Sequence, residues 1–340
     1  MIQEDCLKSI KSSILTLERL KSSHILITGG TGFVGTWLIE MLNLLNKEFN
    51  LNIQVYVIAR NEPQNYSFNR DTNVHFIKLD IRNLKEIPSS INYIIHAAGS
   101  PDSREHVSNS IKTVETFYKG TQNILDIASR LPNLIKIIHF SSNKIYGSNY
   151  STIPLEEKSS IIAGYSNQDI YSESKRISET LCKAYISELG LPIIIVRPFA
   201  FIGPFQSLDK PWAINNFIRD AILGGPIRIL GNELTTKSYM YGSDLANYVL
   251  NILALGKVGE VYNVGSSQPT TLLELAIKIK NIINSEIEIL IKSSKNNYSQ
   301  TSFDVPQTSK IENELQLISS FNIDDALKRT ILWNKLNTIK

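Results

Sequence analysis

A short apolar run, His24-Ile25-Leu26-Ile27-Thr28, ends in Gly29-Gly30-Thr31-Gly32-Phe33-Val34-Gly35 and passes directly into a helical pattern over 33–45. A strand that meets glycines and then a helix commits the chain to a β-turn-α unit. Glycines at 30, 32 and 35 permit a tight turn and let the backbone approach a ligand closely. Free amides at the helix start favour negative charge, so the unit reads as a cradle for a dinucleotide pyrophosphate.

The pattern repeats. Strands are expected over 53–59, 74–79, 93–97 and 135–141, with helices over 107–130 and 170–189. Alternation of this kind predicts an α/β fold, a Rossmann-type doubly wound parallel sheet covered on both faces. Beyond Pro198 the chain is broken by Gly203-Pro204, Gly224-Gly225-Pro226 and Gly265, with helices over 212–223, 243–255 and 272–283. The expected organisation is therefore a lead-in helix over 1–22, a dinucleotide-binding domain over 23–197 and, over 198–340, mainly a smaller substrate-binding lobe. Leu7, Ile10, Ile14, Leu17 and Leu20 mark the apolar face of the lead-in helix, whose early acids do not suit a signal peptide. The Ser/Asn/Lys-rich segment 293–302 reads as a surface loop.

Bulk properties exclude several classes. A net charge of +3 is too small to imply a nucleic-acid or membrane partner. Only Cys6 and Cys182 are present, so no disulfide framework is expected and a cytoplasmic home follows. No apolar stretch reaches the roughly 18 residues of a membrane span. No His/Cys/Asp/Glu cluster has metal-ligand spacing.

Tyr171 and Lys175 lie four apart on an expected helix and so share a face. Free tyrosine and lysine have pKa values near ~10 and ~10.4, too high for acid–base work at neutral pH. An ammonium beside the phenol is expected to stabilise phenolate and lower the tyrosine's pKa. Ser142, at the end of the fifth strand, is placed to position a substrate oxygen. Arg60 ends the second strand where an acid would favour NAD, and its guanidinium suits a 2′-phosphate, which favours NADP. Asp80-Ile81 falls where an adenine-contacting acid is expected. His96 and His139 flank strand ends and read as structural.

With these residues in place, the chain resembles an extended short-chain dehydrogenase/reductase of the nucleotide-sugar NAD(P)-dependent epimerase/dehydratase family. The likeness runs through the glycine turn, Asp80-Ile81-Arg82, His96-Ala97-Ala98 and Phe140-Ser141-Ser142-Asn143-Lys144-Ile145-Tyr146-Gly147. It continues through Tyr171 and Lys175, 197–204, 237–244 and Tyr262-Asn263-Val264-Gly265. The resemblance implies a bound NAD(P), with NADP preferred and NAD possible, and a nucleoside-diphosphate sugar between the lobes. Chemistry would begin by oxidation at sugar C4, with Tyr171, Lys175 and Ser142 as its core. It further implies cofactor contacts at Gly29, Gly32, Phe33, Val34, Gly35, Ala97, Ala98, Pro198 and Phe199. Substrate contacts fall at Lys237, where an arginine commonly meets the diphosphate, and at the backbone around Asn216-Phe217. Relatives often dimerise through the helices expected over 107–130 and 170–189, so a homodimer is expected.

Several positions depart from the family. Dehydratases carry an acid pair immediately after the catalytic serine or threonine, whereas Asn143 and Lys144 stand here. A branch that uses a lysine at the second position keeps an acid before it. Phe117 and Ala200 replace asparagines common in relatives, and Lys237 keeps charge but loses bidentate recognition. The favoured reading is an epimerase or 4-ketoreductase, and the alternative a 4,6-dehydratase or a UDP-glucuronate-decarboxylase-like enzyme. A non-catalytic NADP sensor or a reductase of small carbonyls fits the retained residues less well.

Overall fold

A computed structural model describes residues 1–62, 73–292 and 301–338. Seven strands form one parallel sheet: β1 (His24–Thr28), β2 (Gln54–Ala59), β3 (Val74–Lys78), β4 (Tyr93–His96), β5 (Lys136–Phe140), β6 (Ile193–Pro198) and β7 (Val261–Val264). Their spatial order is β7-β6-β5-β4-β1-β2-β3. The inner strands are near-continuous apolar runs, Ile25–Ile27 and Ile94–Ile95 among them, because helices cover both faces. One face carries Leu26, Ile94, Ile124 and Ile137; the other carries Ile25, Ile27, Ile95, Ile138 and Trp37.

The strand order turns back between β1 and β4, and ligands of such sheets sit outside the strand ends at that point. The glycine turn, Ala97-Ala98, Ser142 and Pro198-Phe199 all lie at or just beyond C-terminal strand ends, on that edge of the sheet. β7 comes from within 198–340, so the segment that supplies the second lobe also completes the sheet beside β6.

The helix Phe33–Phe49 is anchored to the second lobe by Trp37. Its indole donates to the Pro204 carbonyl at 3.1 Å and meets Phe205 and Tyr241 edge-on. Gly242 permits this approach, since a Cβ there would lie 2.0 Å from the indole nitrogen.

The lead-in segment is two helices, Ile2–Ile10 and Ile14–Leu17, broken at 11–13. Ile10, Leu17 and Leu20 are buried, but Leu7 is exposed. Ser9 Oγ donates to Asp244 at 2.7 Å and Tyr241 to Asp5 at 2.7 Å, tying this segment to the helix Gly242–Leu255. The expected helix over 107–130 likewise divides, into Ser103–Ser108 and Ser110–Ala128, at Asn109. Of the expected loop 293–302, residues 293–300 lie outside the described residues.

Candidate active site

The glycine turn fits a pyrophosphate. Gly29 has φ +73°, and a Cβ there would lie 2.8 Å from the Ala97 carbonyl oxygen. A Cβ on Gly35 would come within 2.3 Å of Gly30. Side chains at these points would close the turn. Gly32 begins the helix Phe33–Phe49 with no side-chain cap, so the amides of Phe33 and Val34 are left to a ligand. Phe33 stacks on Phe201 at 4.8 Å, which joins the cradle to the second lobe.

Around this cradle the expected contacts divide. Ala98 N donates to Thr28 Oγ1 at 3.2 Å, which holds the end of β4 against that of β1. Arg60 is exposed at the end of β2. Asp80 is occupied within its own turn. Arg82 takes both its carboxylate oxygens, at 3.0 and 2.9 Å, and these hydrogen bonds hold its pKa below the usual range. Ile81 is buried beneath Gly120, where a Cβ would approach it to 2.8 Å. Phe199 N donates to the Val264 carbonyl at 2.8 Å, and the ring is buried beside Tyr146.

Tyr171, Lys175 and Ser142 are brought together, in an arrangement that differs from the expected one. Helix Ile170–Leu189 runs between the two anticipated ends, and Asn167–Asp169 lead into it with a Ser166/Asp169 capping box. Lys175 Nζ donates to the Phe140 carbonyl at 2.6 Å and lies over the Phe117 ring at 4.2 Å. Its distance to the Tyr171 ring centre is 6.0 Å. Burial pushes Lys175 down to about 7, with Glu179 opposing. Burial also pushes Tyr171 up, and a hydrogen bond with Ser142 opposes that. The expected lowering of the phenol by its neighbouring ammonium is therefore corrected. The ammonium is spent on a carbonyl and an aromatic face, and desolvation dominates the phenol.

Two aromatic rings enclose the phenol. His106 stacks on Tyr171 at 4.3 Å and bonds to the Ser100 carbonyl at 2.7 Å, and Phe117 meets Tyr171 edge-on at 5.4 Å. Phe117, which replaces the asparagine, thus presents its ring to both Tyr171 and Lys175. His96 bridges Thr28 and Thr121, and burial followed by Lys175 brings it down to about 3. His139 bonds Ser178 at 3.0 Å.

Ser142 caps the turn Asn143–Tyr146 by accepting from Lys144 N at 3.2 Å. Asn143 is half-buried on that turn. Lys144 Nζ reaches Asp304 at 3.0 Å, and Lys237 Nζ reaches the same oxygen at 2.9 Å. Burial pushes the Asp304 carboxyl up, but Lys144 and Lys237 together bring it down to about 2. Sequence reasoning missed Asp304 and His106; no local pattern marks a carboxylate that pairs with Lys144 and Lys237 across the fold.

Asn216 and Phe217, whose backbone is expected to meet the nucleotide, stand on one short helix. Both lie inside the helix Ala213–Ile222, where Asn216 N donates to the Trp212 carbonyl at 3.0 Å. The Phe217 ring is buried in the core, and Asn216 Oδ1 accepts from Arg219 at 2.9 Å.

The segment after β4 also meets residues 209–210. Asp102, beyond β4, accepts from Lys210 at 3.2 Å, and Arg104 donates to the Asp209 carbonyl at 3.0 Å. Among the described residues no His/Cys/Asp/Glu group could hold a metal ion, and no helix is long and apolar enough to cross a membrane.

A family model described as NAD dependent epimerase/dehydratase family matches residues 25–265. UDP-N-acetyl-alpha-D-glucosaminuronate decarboxylase of Bacillus cytotoxicus is 28% identical over 319 residues, covering 91% of this chain and 96% of that protein. UDP-glucuronic acid decarboxylase 1 of Xenopus tropicalis is 27% identical over 266 residues; the match covers 78% of this chain and only 62% of the frog protein. The crystal structure of UDP-glucuronic acid 4-epimerase from Bacillus cereus, in complex with UDP-glucuronic acid and NAD, aligns with TM-score 0.78 at 23% identity. That alignment covers 92% of this chain and 99% of the epimerase, a likeness of fold.

Proposed function

The chain belongs to the NAD dependent epimerase/dehydratase family, and from that premise we infer that it modifies a nucleoside-diphosphate sugar by hydride transfer at C4, as an epimerase or a 4-ketoreductase. The observation that carries the choice is the Lys144–Asp304 ion pair. Lys144 is an ammonium paired with a carboxylate, and its neighbour Asn143 has no proton to give at neutral pH. The turn after Ser142 therefore lacks the acid–base pair for removing water. Hydride and proton transfer at a single carbonyl need only Tyr171, Ser142 and Lys175.

NAD(P) bound at the glycine turn supplies the hydride acceptor or donor. Arg60, at the end of β2 with no acid in the family's position, supports NADP, and NAD is the alternative. The protein's own part is protonic. Tyr171, half-buried and with its pKa raised, holds its proton and is poised to protonate a ketone oxygen that Ser142 orients; in the opposite direction, oxidation of a C4 hydroxyl, the same phenol oxygen would have to accept the proton. His106 and Phe117 keep the phenol from turning and exclude water from its ring faces. Lys237 faces the diphosphate. Ile111, Val114 and Ile177, exposed on the paired helices Ser110–Ala128 and Ile170–Leu189, suit a homodimer contact.

The decarboxylase names of the sequence relatives favour a second reading, loss of carbon dioxide from a C4-oxidised uronate. Incubation with UDP-, dTDP-, CDP- and GDP-sugars, followed at the reduced-nicotinamide absorbance band, separates the two. A 4-keto sugar reduced with stoichiometric cofactor oxidation, or a C4 epimer formed with none, supports the first. Release of water or carbon dioxide overturns it.

A further inference from the structure

Among the described residues, Asp304 is the carboxylate that pairs with both Lys144, on the turn beside Ser142, and Lys237. Its Oδ2 accepts from Lys144 Nζ at 3.0 Å and from Lys237 Nζ at 2.9 Å, and its side chain is 8% exposed. The position is built from two sides. Asp304 pairs in parallel register with Lys237. Its segment is also stitched to the chain beyond Ser142. Phe303 N donates to the Asn149 carbonyl at 2.9 Å, Asn149 Nδ2 to the Phe303 carbonyl at 3.0 Å, and Leu155 N to the Val305 carbonyl at 2.9 Å. Strand pairing therefore fixes the carboxylate where the two ammoniums converge.

Its charge is permanent at working pH, because the two lysines hold the group ionised. Lys237 is the cation a sugar diphosphate would approach, and in the protein as folded an internal anion already occupies it. Any external anion must share Lys237 with Asp304 or displace it. A site that is partly self-occupied binds with an apparent affinity reduced by the fraction that is free.

We propose that Asp304 is an internal counter-anion: it competes with the substrate's diphosphate for Lys237 and, once displaced, pairs with Lys144 alone. Substrate charge thereby sets the placement of the lysine beside Ser142. The proposal rests on the nucleoside-diphosphate-sugar reading. It makes Asp304 a positioning residue that weakens binding and assists turnover, the opposite of what a merely structural ion pair does. The carboxylate also offers a returning partner to Lys237 as the product leaves.

The test is calorimetric titration of wild-type protein and Asp304→Asn with UDP, dTDP, CDP and GDP. For the nucleotide that wild type binds, Asp304→Asn is expected to bind on the order of tenfold tighter, through freed charge-assisted contacts. Its binding should also depend more steeply on salt. Steady-state kinetics on the matching nucleotide sugar should show KM and kcat falling together. Asp304→Ser, smaller and equally uncharged, should give the same tightening and guards against a folding artefact of one variant. Unchanged or weaker nucleotide binding in both variants overturns the proposal. Failure of wild type to bind any of the four nucleotides defeats the nucleotide-sugar reading as well, which separates the two failures.

Discussion

The glycine turn and the Lys144–Asp304–Lys237 cluster solve one problem, holding negative charge, by opposite means. The turn is one contiguous stretch, whose four glycines and uncapped helix end offer backbone amides to the proposed anion. The cluster is assembled from three segments, and its two lysines are only half neutralised by one buried carboxylate. The first is pre-formed and sits over the sheet core. The second depends on strand pairing between 236–237 and 303–304, and on our proposal its two lysines can exchange partners. On the proposed reading, the contiguous cradle takes the cofactor that every catalytic cycle shares, and the ion-pair cluster takes the substrate that enters and leaves.

The contrast between site chemistry and scaffold is sharpest at Tyr171. Replacement by phenylalanine removes the proton while keeping the ring between His106 and Phe117, so activity should fall by about 10²–10⁴-fold. The melting temperature should hardly move; a large drop would show that the hydroxyl is structural.

Gly35→Ala attacks the contiguous element. The added methyl meets Gly30 backbone atoms at 2.3 to 2.5 Å, so overpacking should cost about 1–3 kcal/mol in chemical denaturation and weaken cofactor binding together with stability. Cofactor affinity unchanged in this variant would break the assignment of the turn. Lys237→Gln attacks the assembled element. It should weaken nucleoside-diphosphate binding about tenfold with cofactor binding intact, since one charge-assisted contact is lost. Loss of both affinities would erase the distinction between the regions.

The effect furthest from the contrast concerns acid. Burial depresses His96 to about 3, well below the unfolded value near ~6.5. A depressed group contributes stability that is present above the unfolded pKa and is lost as pH falls toward the folded one. Below pH ~6.5, His96 should therefore cost up to about 1.4 kcal/mol per pH unit. Denaturation of wild type and His96→Gln from pH 7 to 4.5 should show a shallower decline in the variant; parallel curves would refute the linkage.

Much of this was legible because its signals are local. The strands are runs of isoleucine and valine, the glycine turn is contiguous, and Gly190 in the left-handed region, with Pro192 beyond, stops the helix Ile170–Leu189 at the anticipated residue. The breaks at 11–13 and Asn109 were hidden, since apolar spacing continues across both. Asp304 was hidden for a different reason: its partners are set by register between short strands that carry no periodicity. The direction of the Tyr171 shift was misjudged because spacing on a helix puts Lys175 on the same face but does not tell where its ammonium points. Phe140 and Phe117, from two other elements, decide that.

The central claim is that a hydride leaves or reaches sugar C4 while Tyr171 handles the proton. It is tested most directly with a nucleotide sugar carrying deuterium at C4, incubated with cofactor and protein and read by mass spectrometry of both molecules. Deuterium found on the nicotinamide, or retained at an inverted C4 after an internal return, is expected for wild type and absent from Tyr171→Phe. Altered sugar that keeps its C4 deuterium with C4 not inverted, under conditions that consume substrate, would contradict it.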